Sequence, residues 1–166
     1  PAGMEAARVA ALRGHEVILY EKEYKLGGSM RLAAVIKGTA IEDLVGLARY
    51  LETQIKKLGV NITSNKEADL ALIEGLKPDV VVLAMGGIPI TPKIPGIDKP
   101  IVKHPAQMYR TLKKFMRLFN PSILRWLMKV WMPIGSRVVV VGGGIEGCEL
   151  TEFLTKQGRK VILLET

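Results

Sequence analysis

Residues 137–165 read RVVVVGGGIEGCELTEFLTKQGRKVILLE, and this stretch decides the fold. Arg137 to Val141 reads as a strand buried on both faces, as parallel strands are. Gly142, Gly144 and Gly147 then form G-x-G-x-x-G. A helix runs through Cys148, Leu150, Phe153 and Leu154, and Gly158 stops it. Lys160 to Leu164 is a second strand, and Glu165 stands at its end. Each glycine has a physical task. Gly142 permits a tight turn, Gly144 lets backbone approach a pyrophosphate, and Gly147 lets the helix close on the strand. The helix start supplies free N–H groups and the positive end of its dipole. An acid about 20 residues beyond the motif accepts the hydroxyls of a ribose. Glu165 also favours NAD over NADP, because a 2′-phosphate would meet a like charge. Arg159 and Lys160 do not reverse this, since both precede or open the strand. The competing reading is a glycine-rich turn in an α/β sheet that binds nothing.

Working outward, the same unit recurs at an offset of 144 residues. Gly3 matches Gly147, Glu5 matches Glu149, and Gly14 matches Gly158. Val17-Ile18-Leu19 matches Val161-Ile162-Leu163, and Glu21 matches Glu165. In the first copy Pro1-Ala2-Gly3 stands for the last three positions of the glycine motif. A helix to about Arg13, a strand over Glu16–Tyr20 and the acid Glu21 follow. The opening strand and its Gly-x-Gly are missing, so this reading expects a piece of a longer chain. Leu26-Gly27-Gly28-Ser29 is a turn. Ile41 to Leu58 is a helix with Leu44, Leu47, Leu51, Ile55 and Leu58 on its apolar face, capped by Gly59. A short strand over Val60–Thr63 and a brief helix over Leu70–Leu76 come next. Asp79 to Ala84 reads as another buried strand, ending in Met85-Gly86-Gly87-Ile88-Pro89. The strand at Val138 could instead join this one in a single composite sheet.

Composition sets limits on the whole. The chain has 166 residues, 48% of them apolar, so a real core can form and disorder is excluded. One cysteine, Cys148, excludes a disulfide scaffold. No apolar run is long enough to span a membrane. The net charge of +8 is local: no acid occurs between Asp98 and Glu146, an interval holding nine bases, whereas the remainder carries 15 bases and 16 acids. His104-Pro105 begins a helix there. Met108, Leu112, Phe115, Met116 and Phe119 form its apolar face, with Arg110, Lys113, Lys114 and Arg117 around the other. Asn120-Pro121 breaks it, and Ile123, Leu124, Leu127, Met128 and Trp131 make a second apolar face. The first reading of this basic hairpin is a solvated helical pair packed on the rest of the protein. Docking to an acidic partner or an acyl-CoA phosphate comes next, and a membrane surface, suggested by Trp126, Trp131 and the lysines, is the least favoured. Nucleic acid is not expected. Cys148 reads as a small residue packed against the sheet, and His15 and His104 as structural.

Glu21, then Leu26-Gly27-Gly28, then Asp79-Val80-Val81-Val82-Leu83-Ala84-Met85-Gly86-Gly87-Ile88-Pro89, then the full glycine motif, occur in an order that resembles two-dinucleotide flavoproteins of the pyridine nucleotide-disulfide oxidoreductase type. Within that superfamily the chain looks most like the C-terminal half of the old-yellow-enzyme-like 2,4-dienoyl-CoA and 2-enoate reductases, a resemblance that covers essentially its whole length. The resemblance implies an α/β, Rossmann-like fold of parallel sheets with flanking helices, truncated at both ends. It implies a partial FAD domain over 1–98, a basic insert over 99–135 and the start of an NAD(P)H domain over 136–166. FAD would lie on the first copy, with Gly3 near its pyrophosphate and Glu21 on its ribose. Lys22, Gly28, Ser29 and Ala68 match positions lining the adenosine and pyrophosphate, and Gly86 belongs to the same set. NAD(H) would lie on Gly142, Gly144, Gly147 and Glu165. The implied activity is NADH:flavin oxidoreduction in the cytoplasm, with electrons passed to a missing barrel half that holds FMN and a [4Fe-4S] cluster and reduces an enoate or enoyl-CoA double bond. No catalytic residue and no metal ligand falls in this chain, and an oligomer is compatible with it. The alternative is a non-catalytic nucleotide-binding or docking module, or an inactive truncated flavoprotein. Two positions depart from the family pattern: Met85 stands where threonine is usual, and Ser29 where glutamine is frequent. A redox cysteine pair beside the flavin is excluded, since no cysteine precedes Gly147.

Overall fold

The computed structural model describes residues 1–37, 43–87, 90–104, 107–108, 111–112, 114–115, 119, 121–130, 132 and 134–165, with backbone only at 32, 37, 121, 122, 125, 129 and 130. Ile41, Ile88, Pro89, Pro105, Arg110, Lys113, Met116, Arg117, Asn120 and Trp131, named above, lie outside the described residues. The chain divides into two compact units, one made of Pro1–Arg31 with Leu44–Thr111, the other of Leu32–Asp43 with Leu112–Thr166.

The first unit holds α1 (Ala2–Leu12), β1 (Ile18–Glu21), most of the loop leading to α2 (Ser29–Lys37), then α3 (Leu44–Lys57), β2 (Asn61–Ser64) and α4 (Leu70–Leu76). β1 and β2 pair in parallel, with Ile18 opposite Asn61 and Glu21 opposite Ser64. α1 and α3 cover this ribbon. Met4, Ala7, Leu26, Leu51, Ile55 and Val60 form the core, with Ala11, Val17, Leu19 and Ile62 against it. The buried positions of α3 are Ala48, Leu51 and Ile55, a spacing that sets them on one helical stripe. Leu47, expected on that stripe, is exposed instead. Ala48 takes the contact because the Gly27 backbone lies so close that a Cβ built there would meet the Ala48 methyl at 3.1 Å. A leucine has no room at that approach. α4 is capped by Asp69, whose carboxylate accepts the Leu72 N–H at 2.8 Å.

Asp79 to Ala84 departs from expectation. The segment is not paired with any strand among the described residues, and Val80, Val81, Val82 and Leu83 are 47–77% exposed. An apolar run is buried as a parallel strand only when neighbours satisfy its N–H and C=O groups and helices cover its faces. Here no strand pairs with it among the described residues.

The second unit holds α5 (Pro121–Val130), β3 (Arg137–Val141), α6 (Ile145–Lys156) and β4 (Lys160–Leu164). β3 and β4 pair in parallel, Arg137 opposite Lys160 and Val141 opposite Leu164. This is the expected βαβ unit. Met132, Val140, Phe153 and Leu154 form its core, with Ile36, Met128, Ile134, Val138, Leu150 and Val161 against it. β3 is buried on one face only: Val140 faces the core, whereas Val139 and Val141 are exposed. The period-2 alternation of a strand covered on one side replaces the two-sided burial expected from four successive valines. The two sheets share no strand, so a composite sheet of Val138–Val141 with Val80–Leu83 does not form.

The repeat persists in hydrogen bonds. His15 N–H donates to the Ala10 carbonyl at 3.2 Å, and Arg159 N–H to the Leu154 carbonyl at 3.0 Å. Gly14 N–H bonds the Ala11 carbonyl and Gly158 N–H the Thr155 carbonyl. Each bond recurs 144 residues on. Gly14 and Gly158 have φ of +86° and +80°, the left-handed stop that lets both chains turn from helix into strand.

Exposed ion pairs tie the helix surfaces. Arg8 donates to Glu5 at 2.6 Å and holds that carboxyl below its ordinary value near 4.5. The Lys156 ammonium on Glu152 does the same in α6.

Candidate dinucleotide sites

In the second unit the site is the junction of β3 with α6. Gly142 follows the last strand residue with φ +108°, a conformation that side chains rarely adopt. Its N–H donates to the Leu164 carbonyl at 2.8 Å, stitching the loop to β4. Gly144 is the N-cap of α6, with extended φ −61° and ψ 178° and no side-chain cap. The first bond within the helix runs from Cys148 N–H to the Gly144 carbonyl, at 3.0 Å. The N–H groups of Ile145, Glu146 and Gly147 therefore have no acceptor inside the helix. They converge with the positive end of the dipole, which is an anion seat. Gly147 has a steric task. A Cβ there would lie 1.8 Å from the Gly142 carbonyl oxygen, so only glycine lets the helix start this close to the strand. Around Gly142 a Cβ would meet nothing within 4 Å. The loop is thus tight beneath and open above, a cradle that fits a pyrophosphate.

Glu165 completes the site. Its carboxylate accepts the Gly143 N–H, which brings the acid at the end of β4 onto the glycine loop. In G-x-G-x-x-G, position 143 is only the variable residue between Gly142 and Gly144. A Cβ at Gly143 would intrude on the Glu165 carboxylate, so the third glycine in a row is the signal for this contact. Cys148 also differs from expectation. It is exposed, not packed, and its thiol donates to the Gly143 carbonyl at 3.2 Å. The Gly143 peptide is held at both of its polar atoms.

In the first unit the equivalent features gather at the C-terminal ends of β1 and β2. α1 starts without a side-chain cap, and its first internal bond runs from Glu5 N–H to the Pro1 carbonyl at 2.9 Å. The N–H groups of Ala2, Gly3 and Met4 thus lack helical acceptors. A Cβ at Gly28 would sit 3.6 Å from Pro1, so the start of α2 at Ser29 lies beside the start of α1. A Cβ at Gly3 would be 3.3 Å from the Ala84 methyl, which sets Gly86 just beyond the same end. Glu21 closes β1, and its carboxylate accepts the Glu23 N–H at 2.9 Å. Lys22 follows it, exposed. Lys66 N–H donates to the Glu21 carbonyl and Asn65 N–H to the Glu23 carbonyl, at 3.1 and 3.2 Å. These bonds anchor the loop that carries Ala68 at the same sheet edge. Arg31, absent from the sequence reading, fixes the turn between: its Nε donates to the Leu26 carbonyl at 2.7 Å. No sequence motif marks it, because it acts through a main-chain acceptor. Among the described residues no group of His, Cys, Asp or Glu could hold a metal ion.

The family model for pyridine nucleotide-disulphide oxidoreductases matches residues 1–166. The chain belongs to that family. Its members' pairing of FAD with NAD(H) agrees with two helix-start cradles, each followed by a strand that ends in an acid. The chain is 38% identical over 169 residues to an NADH oxidase of Thermoanaerobacter brockii, a match covering 99% of the chain and 23% of that protein. It is 36% identical over 164 residues to a cinnamate reductase of Clostridium sporogenes, covering 99% of the chain and 21% of that protein. The structure of a 2-naphthoyl-CoA reductase in complex with 2-naphthoyl-CoA superposes with a TM-score of 0.71 at 34% identity, over 98% of the chain and 22% of that protein. The chain thus spans about a fifth to a quarter of the length of these relatives. Despite the family's name, its own sequence holds a single cysteine and cannot form an internal disulfide.

Proposed function

We propose that the chain is the FAD- and NADH-binding part of an oxidoreductase that carries electrons from NADH through FAD to an FMN and iron–sulfur barrel, where an enoate or enoyl-CoA double bond is reduced. The observation that carries this is the Gly142–Gly147 loop, closed to any side chain at Gly147 and open at the helix start. FAD, when bound, supplies the redox chemistry, taking hydride from NADH and releasing electrons onward. The chain's own residues bind and orient. Gly142, Gly144 and Gly147 receive the pyrophosphate of NADH, and Glu165 leaves Gly143 to accept its ribose hydroxyls. Gly3 and the start of α2 at Gly28 and Ser29 receive the FAD pyrophosphate. Glu21, Lys22 and Ala68 line its adenosine side, and Gly86 the far end.

In this reading residues 1–98 belong to the FAD domain, 99–135 form an insert and 136–166 begin the NADH domain. The exposed run Val80–Leu83 supports an apolar strand bearing Gly-x-Gly that pairs between it and the open edge of β1. We place the protein in the cytoplasm, where NADH is available. The same exposed run favours a second reading for the chain taken alone, a nucleotide-binding module without turnover.

The test is anaerobic reduction of the full-length protein. NADH should bleach its flavin, and an enoyl-CoA or a cinnamate-type acid should restore the colour. Bleaching without reoxidation by either acceptor would remove the double-bond assignment. No bleaching at all would leave the module reading.

A further inference from the structure

We propose that Glu165 gates the second cradle: seated on the Gly143 N–H, its carboxylate keeps free phosphates out of the anion seat and yields only to a ligand whose ribose hydroxyls draw it away. The gate rests on the reading of this cradle as a dinucleotide site. Strand register puts the acid where it can act. Val141 lies opposite Leu164 in the parallel ladder, and the Gly142 N–H extends that ladder by donating to the Leu164 carbonyl at 2.8 Å. The next residue of each strand, Gly143 and Glu165, therefore meet just beyond its end, where the carboxylate accepts the Gly143 N–H. The approach involves more than the tip of the side chain, since a Cβ at Gly143 would lie 3.4 Å from the Glu165 Cβ as well as against the carboxylate. The Cys148 thiol, donating to the Gly143 carbonyl at 3.2 Å, holds the same peptide from its other polar atom.

Charge decides what this contact does to a ligand. Gly143 stands two residues before Ile145, the first helix-start N–H without a helical acceptor. Those N–H groups and the dipole attract any small anion. A carboxylate bonded to the adjoining loop already brings one negative charge and occupies one donor. An incoming phosphate meets like charge and finds the loop amide taken. A vicinal diol changes this balance, because its two hydroxyls give the carboxylate new donors in place of the Gly143 N–H. A dinucleotide carries diol and pyrophosphate on one molecule, so it draws the acid aside and fills the seat together. Inorganic phosphate and pyrophosphate carry no diol. One side chain thereby couples recognition of the ribose to recognition of the pyrophosphate.

The experiment is calorimetric titration of the full-length protein with NADH, ADP, 2′,3′-dideoxy-ADP and inorganic pyrophosphate. Wild type should bind NADH and ADP, and should bind the two ligands without a diol more weakly than ADP by roughly tenfold or more. In Glu165→Ala the effects should run in opposite directions: ADP weakens, whereas dideoxy-ADP and pyrophosphate tighten by roughly tenfold. A variant that is merely misfolded would weaken all of them. Glu146→Gln removes an exposed acid from the first turn of α6 and leaves the Gly143 contact in place, so it should keep the wild-type order of ligands. Pyrophosphate and dideoxy-ADP that bind Glu165→Ala no better than wild type overturn the gate while NADH binding upholds the site. Equal tightening in Glu146→Gln assigns the effect to net charge and overturns the gate too. Wild type that binds neither NADH nor ADP removes the dinucleotide site itself, and the gate with it.

Discussion

At the scale of single residues, two glycines at matching positions carry very different constraints. A methyl group at Gly147 would lie 1.8 Å from the Gly142 carbonyl, a backbone atom that cannot yield without opening the loop. At Gly3 the same methyl would meet the Ala84 side chain at 3.3 Å, where a shift of a few tenths of an ångström suffices. We therefore expect Gly147→Ala to abolish NADH binding by calorimetry and to cost about 1–3 kcal/mol of stability in denaturant unfolding. Gly3→Ala should cost under about 1 kcal/mol. Equal effects would show that the second loop relaxes freely. Glu165 permits a sharper comparison. Glu165→Gln keeps an acceptor for the Gly143 N–H but removes the charge, so it should narrow the preference for NADH over NADPH while retaining NADH binding. Glu165→Ala should weaken both loop and ribose contacts. The glycine spacing and the terminal acid are legible in the sequence because they are local. The Arg31 bond to Leu26, and the Cys148 thiol on Gly143, are not, since each depends on a main-chain carbonyl that no sequence pattern marks.

At the scale of elements, α1, α3, α4, α6 and the four short strands form where their patterns lie, α2 over Ser29–Lys37 has no counterpart in the sequence reading, Asp79–Ala84 forms no strand, and burial departs as well. Both four-residue hydrophobic runs, Val80–Leu83 and Val138–Val141, were expected to be fully buried. The second has a partner strand and a helix on one side, so one face is covered. Among the described residues the first has no partner strand. Hydrophobicity records the surroundings a strand is suited to, and does not by itself provide them. α3 shows the reverse case, in which Ala48 displaces Leu47 from the contact because of the Gly27 backbone, a tertiary approach that periodicity cannot register. Ile55, wholly buried on the same helix, should cost about 2–5 kcal/mol on truncation to alanine. Urea denaturation checks this, and a loss below 1 kcal/mol would mean that the α1–α3 packing closes over the cavity.

At the scale of the whole molecule, the exposed Val80–Leu83 backbone is a hydrogen-exchange prediction. Its amides should exchange within seconds to minutes in the chain alone, like other unpaired segments, and slowly in the full-length protein. Fast exchange in both would remove the case for a strand beside it. The surface ion pairs give a pH prediction. The Glu5 and Glu152 carboxyls titrate below their usual range when folded, so their stabilisation is present above the unfolded value near 4.5 and is lost as pH falls through the lowered folded value. Both pairs lie at the surface, Arg8 half-buried and the others exposed, so salt should screen the effect. Thermal melts of wild type and Arg8→Ala should converge at low pH and in high salt. A gap that persists in acid would assign the Arg8 contribution to packing instead.

The division into two units has a consequence for how the chain is assembled. Ile36 sits in the core with Met132 and Phe153, yet everything from Leu44 to Thr111 belongs to the other unit. The polypeptide therefore crosses between the units three times. During synthesis the α2 segment emerges long before its packing partners and waits for them, while the intervening residues fold around α3. Loop-closure entropy makes such late, long-range contacts slow to form. No single proteolytic cut can release either unit whole, and an excised piece starting at Leu112 would lack Ile36 from its own interior.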